Sequence, residues 1–259
     1  MAKAAPSARV VVMDWDETIT TKDTTELVAQ TAYRHKTGLT DFSHYSKIYS
    51  DAYEEYSAKW SERKTIDEEI AYQKGMRDVE MSSISAIEND GLFKGLTRCD
   101  FVQSALGVEI KDGFTDFVSK AQKSHALLYI LSVNWSRTLI ETALSQAGVS
   151  GINVLANEPE FYQCKATGYF SKDTDIRTGY DKLVELEKIR NDHPDRSVLF
   201  VGDSSGDVLP IVKADTGVII EGGRARKYID ALGLPVREVD DSLEEGIYEG
   251  NWNELLQHW

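Results

Sequence analysis

Arg9-Val-Val-Val-Met13-Asp14-Trp15-Asp16-Glu17-Thr18 is the stretch on which the fold turns: a β-branched apolar run leads directly into two carboxylates, at i and i+2, followed by a hydroxyl. An apolar run without polar alternation is buried on both faces, as in a parallel strand covered by helices. Acids at the carboxyl end of such a strand stand where doubly wound sheets place their ligands.

Three later runs repeat the pattern: Leu127 to Leu131 before Ser132, Val198 to Val201 before Gly202-Asp203, and Gly217 to Ile220 before Glu221-Gly222-Gly223. A weaker strand is expected over Ile152 to Leu155. Helical patterns separate them, at Ser136 to Ala147, Tyr180 to Arg190 and Ser205 to Ala214. This alternation predicts an α/β fold with a doubly wound parallel sheet. Residues from about 21 to 112 break the alternation, being rich in Tyr, Lys and Glu with helical periodicity, and read as an inserted helical cap domain. The core is then expected from 1–20 and 113–259. In the insert, Tyr45, Ile48, Tyr49, Ala52, Tyr53, Tyr56 and Trp60 follow the spacing of one helix face. The plain reading of that stripe is core packing; the sharper one is that part of it lines a substrate pocket. Gln163 to Ser171, with Gly168, reads as a hairpin or flap, and Gly222 to Trp259 as a C-terminal extension.

Composition narrows the function classes. Of 259 residues 41% are hydrophobic and 10% aromatic, enough for a packed core. A net charge of −14 argues against a nucleic-acid partner, because phosphate backbones are held by clustered Lys and Arg. No apolar stretch approaches the roughly 18 residues of a membrane span, and the tail Met1 to Arg9 lacks the apolar core of a signal peptide. Cytoplasmic residence is the default expectation. Cys99 and Cys164 form no CxxC, and the histidines show no zinc-ligand spacing.

Four polar signals end strands or open helices in order along the chain. Asp14, Asp16 and Thr18 come first; an acidic helix cap is their plain reading. Ser132 offers a hydroxyl to an anion at the sheet edge, or simply caps the next helix. Lys182 alone would be a solvated surface lysine. Gly202-Asp203-Ser-Ser-Gly-Asp207 places small residues around two acids, a shape suited to oxygen ligation of Mg²⁺. A parallel sheet would bring all four together at one edge.

This series, DxDxT, Ser, Lys and GDxxxD, resembles the four motifs of the haloacid dehalogenase-like superfamily, and the insert resembles the cap of its phosphoserine-phosphatase-like branch. The resemblance implies that Asp14 is the nucleophile of an aspartyl-phosphate mechanism and Asp16 the general acid and base. It implies phosphate binding by Thr18, Ser132 and Lys182. Asp14, Asp203 and Asp16, the last through its backbone carbonyl, would hold Mg²⁺, with Asp207 orienting the metal site from behind. A second acid in the first motif favours phosphatase or phosphomutase members, whose substrates are small-molecule phosphate monoesters. Leu155-Ala-Asn-Glu158, Ala166-Thr-Gly168, Val201 to Leu209 and Ala214 to Val218 further resemble the phosphatase domain of plant thiamine monophosphate phosphatases and their fungal relatives. That makes thiamine monophosphate the candidate substrate, beside phosphoserine, pyridoxal phosphate or sugar phosphates. Its cationic ring would suit Asp23, Glu26, Tyr45 and Tyr49, although Asp23 also reads as the N-cap of the first cap helix. In Ser132-Val-Asn134 the chain departs from family members that place a glycine after the hydroxyl.

Overall fold

Strand β1 (Arg9–Met13) runs through the middle of a seven-stranded parallel sheet in the computed structural model, which describes residues 9–239 and 243–259. The tail read for targeting signals thus lies, apart from Arg9, outside the described residues. The strand order is β3-β2-β1-β6-β7-β9-β8, with β2 at Leu127–Leu131, β3 at Asn153–Leu155, β6 at Ser197–Gly202, β7 at Thr216–Ile220, β8 at Val236–Glu238 and β9 at Gly246–Gly250. The chain leaves β1 towards β2 on one side and returns to β6 on the other, so the order reverses at β1 and opens a crevice at its carboxyl end.

Alternation along β1 divides the interior into two layers. Val11 and Met13 join a cluster containing Phe114, Phe117 and Trp252, whereas Val10 and Val12 face Leu186, Ile189, Ile211 and Ile229. None of the four β1 side chains retains exposed surface, and burying each contributes about 1.5–3 kcal/mol. The first layer is built by α5 (Phe114–Lys123), α6 (Arg137–Gln146) and α10 (Trp252–His258), the second by α7 (Gly179–Asp192), α8 (Val208–Lys213) and α9 (Ala225–Ala231).

Between β1 and β2 lie α1 (Thr25–His35), α2 (Phe42–Ser57), α3 (Ile66–Asn89) and α4 (Arg98–Ser104). A bridge between Thr20 and Ile110 closes the neck of this segment. Thr65 and Glu68 form a reciprocal capping box at the start of α3. The aromatic stripe is divided in function: Tyr45 is buried, Tyr53 is exposed, and Trp60, beyond the end of α2, packs with Tyr56 against Tyr72. The expected hairpin is present as β4 (Pro159–Tyr162) and β5 (Lys165–Phe170), paired antiparallel.

Two expectations change. The C-terminal extension is no mere appendage, since β8 and β9 extend the main sheet in parallel beyond β7. The helix expected from Ser205 opens instead as a 3-10 turn over Ser205–Asp207, with α8 following, because the Asp207 side chain folds back onto the turn. No helix among the described residues is long and apolar enough to cross a membrane.

Trp252 joins the extension to the first motif: its indole donates to the Thr18 carbonyl at 2.9 Å, and its ring packs on Phe114 and Phe117 at centroid distances of 5.1 and 5.2 Å. Trp252→Ala should therefore cost about 3–5 kcal/mol of unfolding free energy in a denaturant titration. A loss below about 1 kcal/mol, the scale of a surface change, would show that the extension does not support the core.

Candidate active site

Asp14 leaves β1 with its backbone N–H donating to the Val201 carbonyl of β6 at 2.9 Å, which fixes it beside Asp203 at the end of the adjacent strand. Lys182 reaches the same point from the first turn of α7. Its Nζ lies 2.7 Å from Asp14 Oδ1 and 2.7 Å from Asp207 Oδ1, with all three side chains buried. Local sequence makes that approach possible. Thr178 and Asp181 cap the helix reciprocally, and a side chain at Gly179 would collide with the Gly206 carbonyl, 2.6 Å from where its Cβ would sit. A Cβ at Gly202 would likewise lie 2.5 Å from Asp207 Cβ, so glycine there lets Asp207 turn back under the sheet.

Asp207 is fully engaged. Oδ1 meets Lys182, while Oδ2 accepts from the backbone N–H groups of Asp203 and Ser204 and from the Ser204 hydroxyl. Burial alone would raise its carboxyl, but Lys182 and the Ser204 donors hold it below the usual range. Asp14 goes the other way, pushed well up by burial and by Asp207 against the pull of Lys182. Burial and Asp207 push Asp203 up to about 7. Lys182, desolvated but held between two acids, stays protonated.

One oxygen from each of Asp14, Asp203 and Asp207 lies within 4.8 Å of the others. Three buried carboxylates around one ammonium leave negative charge in excess, and hard oxygen donors suit a small divalent cation. The residues therefore fit such an ion, held chiefly by Asp14 and Asp203 because Asp207 is already committed.

Asp16 sits in a second network that the sequence did not disclose. Its Oδ1 accepts from the backbone N–H and the hydroxyl of Thr24, both at 2.6 Å, and its Oδ2 accepts from Asn134 Nδ2 at 2.9 Å. Thr24 Oγ1 also accepts from the Trp15 indole and from Asn134. Burial and the nearby Asp23 nevertheless raise the Asp16 carboxyl to about 6, the three donated bonds opposing them. Glu17, just beyond, has φ 57°, a left-handed turn that non-glycine residues seldom adopt.

The expected phosphate ligands separate. Lys182 belongs to the acid cluster, whereas Thr18 is fully buried and donates its hydroxyl to Asp203 Oδ1 at 3.0 Å, so it positions that carboxylate. Ser132 is also fully buried; its Oγ accepts from Asn134 N and keeps its own proton to donate. Asp14, Asp16, Lys182 and Asp203 line a cavity of about 880 Å³ walled by both sheet edge and insert, whereas Thr18 and Ser132 lie behind its wall. Asp23, Glu26, Tyr45 and Tyr49 all line it. Asp23 is exposed and accepts from Thr25 N, but the N-cap position of α1 is Thr24. The Tyr45 and Tyr49 hydroxyls donate to Asp90 and Glu80; Tyr45 is buried to 1% exposure and packs in the core instead of facing a ligand, so only the half-buried Tyr49 ring is left to offer one. Glu80 and Arg177 line the cavity as well and were not foreseen.

The sequence profile of the haloacid dehalogenase-like hydrolases matches residues 11–209. The chain belongs to that family. Cold tolerance protein 1 of Saccharomyces cerevisiae is 24% identical over 82% of this chain and 78% of its own length. The Bifunctional TH2 protein, mitochondrial, of Arabidopsis thaliana is 26% identical over 71% of this chain, which spans only 32% of that protein. A phosphoserine phosphatase solved in its apo form shares the fold at 14% identity, with a TM-score of 0.58, covering 97% of this chain and 98% of its own. In this haloacid dehalogenase-like hydrolase the turn after Ser132 reads Val133-Asn134 instead of bringing in glycine, and Asn134 supplies a donor to Asp16.

Carbon-13 NMR of the metal-free protein should give an Asp16 titration midpoint near 6. Asn134→Ala removes a donor that favours the ionised form, so the midpoint should rise. A midpoint that stays put or falls would refute the assigned network.

Proposed function

We propose that this phosphoric monoester hydrolase is a Mg²⁺-dependent phosphatase that cleaves a small-molecule ester through an aspartyl-phosphate on Asp14. The observation that carries the reading is Lys182 Nζ, buried and shared at 2.7 Å by Asp14 and Asp207, at the base of a ligand-sized cavity. In this reading residues 21–112 serve as its cap, and the described part of 1–20 with 113–259 as its core.

A carboxylate approaching a phosphate dianion meets repulsion of about 4 kcal/mol per unit charge pair at 4 Å and an effective dielectric near 20. Lys182 offsets part of it. Mg²⁺, held by Asp14, Asp203 and the Asp16 carbonyl, would supply the remaining positive charge and keep Asp14 ionised. An Asp14 oxygen attacks phosphorus, the bond to the leaving oxygen breaks, and Asp16 gives that oxygen its proton. Asp16, now a carboxylate, takes a proton from water as the water oxygen attacks the same phosphorus. Inorganic phosphate leaves and Asp14 is restored. Thr18 keeps Asp203 in place, and Asp207 keeps Lys182 in place.

Thiamine monophosphate is the candidate substrate, and the lining of the cavity supports it. Asp23, Glu26 and Glu80 put carboxyl groups around it, and Tyr49 and Trp135 put aromatic rings there, a combination that favours a flat cation.

Release of phosphate from an aryl phosphate should require Mg²⁺ and stop on chelation, and Asp14→Asn should abolish it without loss of the folded circular dichroism spectrum. Activity that survives either treatment would sink the mechanism. For substrate choice, kcat/KM for thiamine monophosphate should exceed those for phosphoserine, pyridoxal phosphate and sugar phosphates by at least about tenfold, the yield of one good extra contact. Tyr49→Ala should narrow that margin. Equal values for all four substrates would reject thiamine monophosphate and leave the phosphatase chemistry standing.

A further inference from the structure

Gln73 of α3 is 3% exposed, and its carboxamide lies where two turns of the core meet. Nε2 donates to the Ser205 carbonyl at 3.0 Å and to Glu69 Oε1 at 2.8 Å, while Oε1 accepts from Gly179 N at 3.2 Å. Two acceptors face the nitrogen and one donor faces the oxygen, so the amide has a single orientation. Its partners flank the buried ion pair of the site. Gly179 opens α7, one turn before Lys182, and Ser205 opens the 3-10 turn that ends at Asp207. The two turns already touch, since a Cβ at Gly179 would lie 2.6 Å from the Gly206 carbonyl and 2.9 Å from Gln73 Oε1.

The bond to Gly179 fills a gap in α7. The first N–H of a helix has no acceptor within it. The reciprocal cap of Thr178 and Asp181 serves the backbone donors of those two residues, so Gln73 supplies the acceptor that Gly179 lacks. Glu69, one turn earlier on α3, holds the amide in place. It is 1% exposed, and its other oxygen accepts from Arg63 Nε. The Arg63 guanidinium in turn lies over Tyr72, 3.8 Å from the ring centroid, and over Tyr228 of α9 at 5.0 Å. Gln73 lines the cavity, but both its Nε2 protons are given to the protein, so it has no donor left for a ligand.

We infer that Gln73 is a positioning residue: by bridging Gly179 and Ser205 it fixes the separation of the turns that carry Lys182 and Asp207, and Glu69 fixes Gln73. The effect on rate rests on the phosphatase reading; the contact itself does not.

Amide hydrogen exchange followed by NMR tests the contact in the unaltered protein, where Gly179 should exchange at least about tenfold more slowly than an open chain. Gln73→Met, similar in length but without the amide, should return Gly179 to fast exchange and move the Lys182 amide signal, leaving the amides of β1 unchanged. In the Mg²⁺-loaded protein the same variant should lower kcat for an aryl phosphate about ten- to a hundredfold with KM altered less than about threefold. An alkyl phosphate should lose the same factor, because Lys182 acts at the phosphoryl group; a contact with the leaving group would make the two losses differ. Glu69→Gln, left with one acceptor for two donors, should lower kcat by less, and the double variant should match Gln73→Met within about twofold because Glu69 acts through Gln73. An unprotected Gly179 amide in the unaltered protein, an unchanged kcat in folded Gln73→Met, or losses that multiply in the double variant would overturn the inference. Should Gln73→Met fail to fold, Gly179 exchange in the unaltered protein and kcat of Glu69→Gln decide it, an open amide or an unchanged kcat counting against it. Failure of the unaltered protein to release phosphate from any ester, with Gly179 protection lost in Gln73→Met, would instead reject the phosphatase reading and leave the clamp in place.

Discussion

A single ammonium group organises the catalytic edge of the sheet. Lys182 Nζ is withdrawn from water and touches Asp14 and Asp207 at equal distances of 2.7 Å. Breaking a buried pair by deleting one partner typically costs 3–5 kcal/mol, because the surviving charge is left unmatched. Here two carboxylates would be stranded, with Asp203 close by. Gly202 clears the space that Asp207 occupies, and Gly179 lets the start of α7 lie against the Gly206 carbonyl and Gln73. The sheet supplies strand ends, and the lysine gives them their charge balance.

The acid and base role proposed for Asp16 depends on a different constraint, the first residues of the insert. Thr24 stands at the N-cap position of α1 and gives Asp16 both its backbone and its side-chain proton. Further along, Gln73 of α3 donates to the Ser205 carbonyl and accepts from Gly179 N, while Arg77 pairs with Asp181 at 3.0 Å. The insert is therefore joined to the sheet edge by hydrogen bonds within the reacting centre as well as by apolar packing. Movement of α1 relative to β1 would alter the donors on Asp16, which links cap position to proton transfer.

Much of this was legible beforehand because parallel strands buried on both faces leave unbroken apolar runs. Val10 to Met13 and Val198 to Val201 could hardly be read otherwise, and the acids that follow them mark the ligand edge. β9 escaped because Gly246 to Gly250 carries one fully buried large side chain, Tyr248, between glycines and Glu249, and β8 because Val236 to Glu238 is a short edge strand. In the site, Asp14, Asp16, Lys182, Asp203 and Asp207 were legible through order and spacing. Thr24, Asn134, Glu80 and Arg177 were not. Each is polar and common at surfaces, and its importance comes from contacts with residues 8 to 118 positions away or with the cavity itself. Thr18 misled for the converse reason: a hydroxyl at motif spacing does not reveal which way it points.

The overall charge of −14 bears on which esters reach the site. At physiological salt the field is screened over about 8 Å, so an approaching phosphate feels chiefly the charges around the cavity mouth. Those include Asp23 and Glu26 from the insert and Arg224 from the loop before α9. Arg224 is paired with Glu17 at 2.6 Å, which reduces its pull on an anion. Lys182 lies deeper and already serves two carboxylates. A simple dianion is thus weakly attracted until it reaches the sheet edge. An ester that carries its own positive charge away from the phosphate meets less repulsion on entry and finds carboxyl groups along the wall. The acidity, which offers a nucleic-acid backbone no surplus of Lys and Arg, thereby works in the same direction as the cavity lining and accords with the proposed cationic, aromatic leaving group.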